Sequence, residues 1–173
     1  DGRIYCSFNL DGTRTGRLSS SGPNLQNVKG SLRLPFIVAN PEQYSVYTVD
    51  ASQIEPRMIA YLTADRQMVK LFQDGRDYHN YATQLMFPET RKVKEHEVKE
   101  KFKDLRNNVA KHADLSSIYG TGPDTLCTMC LTRGERDIPR DKAVEWIDNL
   151  RSGMKTVMGW KRGLEDSYKR GVK

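Results

Sequence analysis

The chain has 173 residues, 37% of them hydrophobic, enough for one ordinary domain with a sizeable core. It has no apolar run that could span a membrane and no visible signal peptide or lipidation motif, and its three cysteines are too few and odd in number for a secreted disulfide scaffold. Lys and Arg number 28 against 22 Asp and Glu, and the net charge of +6 is compatible with a polyanionic partner whose counterions are released on binding.

Residues 1–30 are rich in Gly, Ser and Asn, with short strand-like pieces (Ile4 to Phe8) between turns. Within them, TRTGRLSSSGPNLQN (13–27) gathers Arg17, Ser19, Ser20, Ser21, Asn24, Gln26 and Asn27. Arg, Asn and Gln can meet the minor-groove acceptors present at every base pair, and hydroxyls can take phosphates. A polar surface loop is the plainer alternative. Leu34 to Val38 and Ser45 to Val49 are strand candidates, separated by the turn signal Asn40-Pro41. The second, with Tyr44, Val46, Tyr47 and Val49, reads as a buried strand delivering Asp50 at its C-terminal end. An acid on such a lip is where α/β folds commonly hold a metal, although an Asp there can also cap the next helix.

A helical pattern begins near Gln53, places Ile54, Met58, Ile59 and Leu62 on one side, and runs to Phe87 with breaks near Thr63 and at Asp74-Gly75. A capping box of Ser52 with Glu55 would put Pro56 where the first intrahelical N–H is needed. A cap at Gln53 makes the proline harmless and frees Glu55. Asp77-Tyr78-His79 opens a further helix. The run TRKVKEHEVKEKFKD alternates in charge, with Val93, Val98 and Phe102 interspersed, and fits a solvated helix face with internal ion pairs.

The next helix ends at Gly120 and aligns Lys111, Leu115 and Tyr119 at i, i+4 and i+8. That face suits a nucleotide, with phosphates at Lys111 and base or sugar near Tyr119. In the bland alternative Leu115 and Tyr119 are core and Lys111 snorkels. Residues 122–173 read as two or three helices punctuated by Gly122-Pro123, Pro139 and Gly153. Cys127 and Cys130 lack a second ligand pair at zinc spacing and read as two small residues on a helix.

YTVDASQIEPR (47–57) resembles the first catalytic motif of the family A DNA polymerases. TGRLSS followed by PNLQN resembles the segment that lies against the primer–template duplex in that family. The Lys111…Tyr119-Gly120 spacing resembles its fingers helix, and Asp77-Tyr78-His79 its Asp-Ile-His. The resemblance spans nearly the whole chain. It implies an α/β or α+β fold, with a small, mostly antiparallel palm sheet in 1–63 and a mostly helical fingers subdomain in 64–173. The implied reaction is template-directed transfer of a deoxynucleotide from its triphosphate to a primer 3′-hydroxyl, with release of pyrophosphate and two Mg²⁺ ions.

On that resemblance Asp50 and the Ala51 carbonyl face metal. Glu55 packs beneath the incoming sugar and excludes a 2′-hydroxyl. Lys111 grips the triphosphate and protonates pyrophosphate, His79 is a second phosphate ligand, and Tyr119 stacks near the template base beside Glu55. Gln53, Arg106 and Leu115 complete the nucleotide-facing set. Arg17, Ser19, Ser20, Asn24, Gln26 and Asn27 hold primer–template DNA.

The sequence also departs from the family. Asn107 stands where an Arg is usual, and Arg106 lies one residue earlier, about 100° around a helix. Leu115 replaces an aromatic residue, and Ala51 and Pro56 replace the common Tyr and Leu, as in a divergent viral or plasmid-borne member. No His follows His112, so the later His-Asp motif with the second palm carboxylate is missing, and the first residue is not Met. A partial chain, poorly active alone, is therefore expected, with a cytoplasmic location in a bacterium or a virus's host. A non-catalytic DNA-binding module and a single-subunit RNA polymerase fragment remain open, the latter disfavoured by Glu55.

Overall fold

A computed structural model describes residues 2–28, 32, 36–38, 40–134 and 137–171, which divide into two compact units, Asp1–Asp50 and Ala51–Lys173. In the first, β1 (Ser7–Asn9) pairs antiparallel with β2 (Ser19–Ser21), matching Ser7 with Ser21, Phe8 with Ser20 and Asn9 with Ser19. Their connection folds on itself, with the Thr13 hydroxyl donating to the Arg17 carbonyl at 2.7 Å. Gly12 lies so close to Ser19 that a Cβ there would overlap the serine hydroxyl. A 3₁₀ turn, Leu25–Asn27, follows, with Asn24 at its N-cap accepting from the Gln26 N–H.

The anticipated strand at Ser45 to Val49 is absent: these residues have no regular structure, and Val49 is 95% exposed. Tyr44, Val46 and Tyr47 are exposed as well, so Asp50 does not stand on the lip of a buried strand. The physical reason is that a strand is stabilised by a neighbour that takes its N–H and C=O groups, and this run pairs with none among the described residues. The Leu34 to Val38 candidate lies partly outside the described residues, and 36–38 are irregular.

The second unit is helical. It comprises α1 (Ile54–Thr63), α2 (Arg66–Gln73), α3 (Tyr78–Met86), α4 (Val98–Lys101), a π-helical turn at Leu105–Ala110, α5 (Lys111–Ile118), α6 (Pro123–Gly134), α7 (Arg140–Gly153) and α8 (Lys155–Lys169). Its boundaries follow local chemistry. Ala64, left-handed at φ 50°, ends α1, and the Asp65 carboxylate caps α2 by accepting from the Gln67 and Met68 N–H groups at 3.0 and 2.9 Å. Gly75, at φ 68°, turns the chain toward α3. With Gln53 as the N-cap of α1, Pro56 falls within the first turn and interrupts no intrahelical bond, as the sequence indicates.

Helix α3 runs through the core and buries Tyr78, Ala82 and Met86, with Met68 and Leu71 of α2, Val109 of the π-turn, Leu126 of α6 and Ile147 of α7 around it. Phe87 meets Trp146 edge-on, with centroids 4.9 Å apart. Cys130 of α6 belongs to this core, its thiol pushed up to about 11 by burial and by neighbouring Cys127.

The charged run beyond Met86 is not one helix. It folds as two 3₁₀ turns, Pro88–Lys92 and Glu95–Glu97, and the single turn α4. One internal ion pair of the expected kind forms, Lys101 with Glu97 at 2.6 Å, whereas Glu95 pairs outside the run with Arg76. Only Val98 of its spaced apolar residues is fully buried, so no continuous stripe holds a longer helix against the core. No described helix is long and apolar enough to cross a membrane.

Candidate functional site

Asp77, the N-cap of α3, joins three elements. Its Oδ1 accepts the Asn80 N–H at 2.9 Å, its Oδ2 accepts the Gln53 amide at 3.1 Å, and both oxygens accept from Arg106 Nη2, at 3.0 and 3.1 Å. The Gln53 carbonyl oxygen in turn accepts the Tyr78 N–H at 2.9 Å. Gln53 caps α1 with its backbone, in a left-handed conformation at φ 54°, while its side chain caps α3. Burial pushes the Asp77 carboxyl up, but the Asn80 N–H and the Arg106 guanidinium outweigh it and hold it below the usual carboxylate range.

Arg106 is buried and also donates to the side-chain carbonyls of Asn80 and Asn107. In a regular α-helix Arg106 and Lys111 would lie roughly 140° apart. The π-helical turn changes that register. The Lys111 N–H reaches back five residues to the Arg106 carbonyl, absorbing one extra residue just before α5. Lys111 itself is exposed and has no carboxylate partner among the described residues. Partial desolvation, then the Arg106 charge, lowers its ammonium pKa, against an opposing pull from Asp77 and Asp114.

On α3, His79 Nδ1 meets Asp114 Oδ2 of α5 at 2.6 Å. Asp114 is fully buried, and its other oxygen accepts the Leu115 N–H at 2.6 Å. A carboxylate oxygen accepts, so Nδ1 carries the proton and Nε2 is left for another partner. The imidazole is thus oriented by a carboxylate from a different helix.

A cavity of about 550 Å³ opens between α1, the end of α5 and α8. Ile54, Glu55, Met58, Tyr119, Trp160 and Leu164 are among its walls. It brings Glu55 and Tyr119 to one space, with Tyr119 71% exposed. Leu115, on the same face of α5, packs partly against the core.

In the hairpin unit, Ser20 donates to the Asn24 side-chain carbonyl at 2.9 Å, and the Gln26 amide donates to the Leu18 carbonyl at 3.2 Å. Those three polar side chains therefore brace the turn itself. Arg17 and Asn27 are exposed, and Ser19 is half-buried against Gly12. Asp50 is exposed, and the Ala51 carbonyl accepts the Ile54 N–H at 3.3 Å. Among the described residues no cluster of three or more His, Cys, Asp or Glu could hold a metal ion. Asp50 is a single candidate metal ligand.

Residues 1–171 match the family model for DNA polymerase family A. The chain belongs to that family. It is 33% identical over 177 residues to a thermostable DNA polymerase I of Thermus thermophilus, a match covering 98% of this chain and 19% of that protein. A DNA polymerase I of Helicobacter pylori is 30% identical over 171 residues, covering 96% and 17%. The chloroplastic and mitochondrial DNA polymerase I A of Arabidopsis thaliana is 38% identical over 101 residues, covering 55% and 9%. The chain thus spans about a fifth of the length of the bacterial relatives it matches.

In this family A chain the structure gathers His79, Arg106 and Lys111 around Asp77 and Asp114, and Glu55 with Tyr119 around the cavity. Gln53 and Arg106 are turned toward Asp77, so both brace the cluster from within. Sequence reasoning missed Asp114 and the hub role of Asp77. A signal for Asp114 was present: an aspartate of low helix propensity between Ala113 and Leu115 in mid-helix needs a partner when buried.

Proposed function

We propose that this chain forms the nucleotide- and duplex-handling portion of a DNA polymerase. The reaction is attack of a primer 3′-hydroxyl on a deoxynucleoside triphosphate, directed by a template, with release of pyrophosphate. The observation that carries the reading is the convergence of Lys111 and His79, from two helices, beside Asp114 and the Asp77–Arg106 pair. An exposed ammonium and an oriented imidazole make a suitable pair for a triphosphate. The lowered pKa of Lys111 makes it a better acid toward the departing pyrophosphate. Glu55 and Tyr119, sharing one cavity, suit the sugar and base of the nucleotide or its template partner. Arg17 and Asn27 offer exposed polar groups to the duplex. Mg²⁺, if bound with the nucleotide, would neutralise triphosphate charge, and Asp50 would be one of its ligands.

Nucleotide binding by the 173-residue chain tests this directly. Trp160 lines the Glu55–Tyr119 cavity and reports occupancy by its fluorescence. A deoxynucleoside triphosphate should quench or shift that signal, and Lys111→Ala should weaken binding about tenfold or more, the value of one charge-assisted hydrogen bond. Glu55→Ala should narrow the gap between deoxyribo- and ribonucleotides. No saturable binding, or binding indifferent to Lys111→Ala, would defeat the reading.

A further inference from the structure

Two clefts flank the corner between α7 and α8. One, of about 550 Å³, is lined by Arg151, Ser152, Lys155 and Arg162, with Asp148 and Met158. The other, of about 780 Å³, shares Ser152 and Lys155 and adds Arg66 and Arg91. Five cations therefore surround one corner, and among the described residues none of them is ion-paired with a carboxylate.

Those hydrogen bonds that the five do make fix position without cancelling charge. Arg91 donates to the Gln84 and Leu85 carbonyls at 2.8 and 3.0 Å, and Arg151 Nη2 to the Thr121 carbonyl at 3.1 Å. Arg151 Nε is buried with no hydrogen-bond partner. Of the two carboxylates at the clefts, Asp65 is spent on the N-terminus of α2, leaving Asp148 as the one exposed acid. Lys155, Met158 and Arg162 fall on one face of α8, whose positive N-terminal end points to the same corner. Recessed walls that are predominantly cationic focus the field and draw in an anion.

We propose that this corner is a second DNA-binding surface, separate from the nucleotide cluster, that takes the phosphate backbone of a single strand. The cations extend over two clefts and along about 10 Å of α8, more than one phosphate ion fills. A recessed cleft admits one backbone and suits a single strand better than a duplex. Among the described residues no aromatic side chain lines either cleft, so the contacts they offer are to backbone and not to bases. DNA is the fitting polyanion for a chain of a DNA polymerase family. His79 and Lys111 stand at the beginnings of α3 and α5, whereas Leu85 near the end of α3 and Thr121 beyond α5 meet the corner, so the two sites occupy opposite ends of the same helices.

The test is the salt dependence of binding of a labelled mixed-sequence single-stranded oligonucleotide to the 173-residue chain and to K155S/R162Q. Both residues are exposed, so folding is unaffected. Each lost phosphate contact should flatten the slope of log K against log salt by about 0.7, giving a change of about 1.4 for the pair. The same variant should bind a deoxynucleoside triphosphate as the native chain does, so failure of the nucleotide reading and failure of this one are read separately. An unchanged slope would overturn the proposal. So would equal affinity for duplex, or displacement of the strand by equimolar inorganic tripolyphosphate.

Discussion

The helical unit buries Met68, Leu71, Tyr78, Met86 and Phe87 completely, whereas the hairpin unit leaves Phe8, Tyr44, Tyr47 and Val49 largely in water. Both contain strong apolar residues, so composition does not separate them. The difference is where each backbone finds its hydrogen bonds. A helix closes them within four or five residues and is then free to bury a face; a strand cannot bury a face until a neighbour has paired with it. The hairpin unit compensates by using polar side chains as braces, Ser20 with Asn24 and Gln26 with Leu18. The helical unit places its polar braces at helix starts, where Asp65, Gln53 and Asp77 satisfy open N–H groups.

The contrast is most easily broken with paired truncations. Leu71→Ala should cost about 3 kcal/mol in urea unfolding, since it opens a cavity in a closed core. Val49→Ala should fall within about 0.5 kcal/mol of the native chain, as for an exposed site. Comparable losses from the two would mean that the 45–49 run is buried in solution. Next in size, Gly153→Ala should cost about 1–2 kcal/mol, because a Cβ there meets Leu85 at 2.6 Å at the α3–α7 contact. Gly16→Ala meets no neighbour within 4 Å but sits at φ 72°; its cost of about 1 kcal/mol should be conformational alone.

Acid sharpens the comparison further. The Asp77 carboxyl lies below its unfolded value, so its contribution is present above that value and is lost as pH falls below about 4 and through the folded pKa. Asp77→Asn should therefore lower stability at neutral pH and flatten its loss on acidification. An acid profile identical to that of the native chain would show that the Asp77–Arg106 pair does not stabilise the fold.

By itself the sequence determined the helical punctuation and the residues to watch. Thr63, Asp74-Gly75, Gly120, Pro139 and Gly153 lie at or beside helix ends, and Gln53 caps α1. Lys111 and Tyr119, eight residues apart in sequence, stand at the two ends of α5. All of this depends on interactions a few residues long, which a linear pattern records. Tertiary structure alone decided that the 45–49 run stays unpaired, that Arg106 turns inward to Asp77 across 29 residues, and that His79 finds Asp114 across 35. It also drew Arg66, Arg91, Arg151, Lys155 and Arg162, scattered along the chain, to one corner. Pairing of strands and of charges depends on which distant segments the packing brings within reach, and no local pattern carries that information.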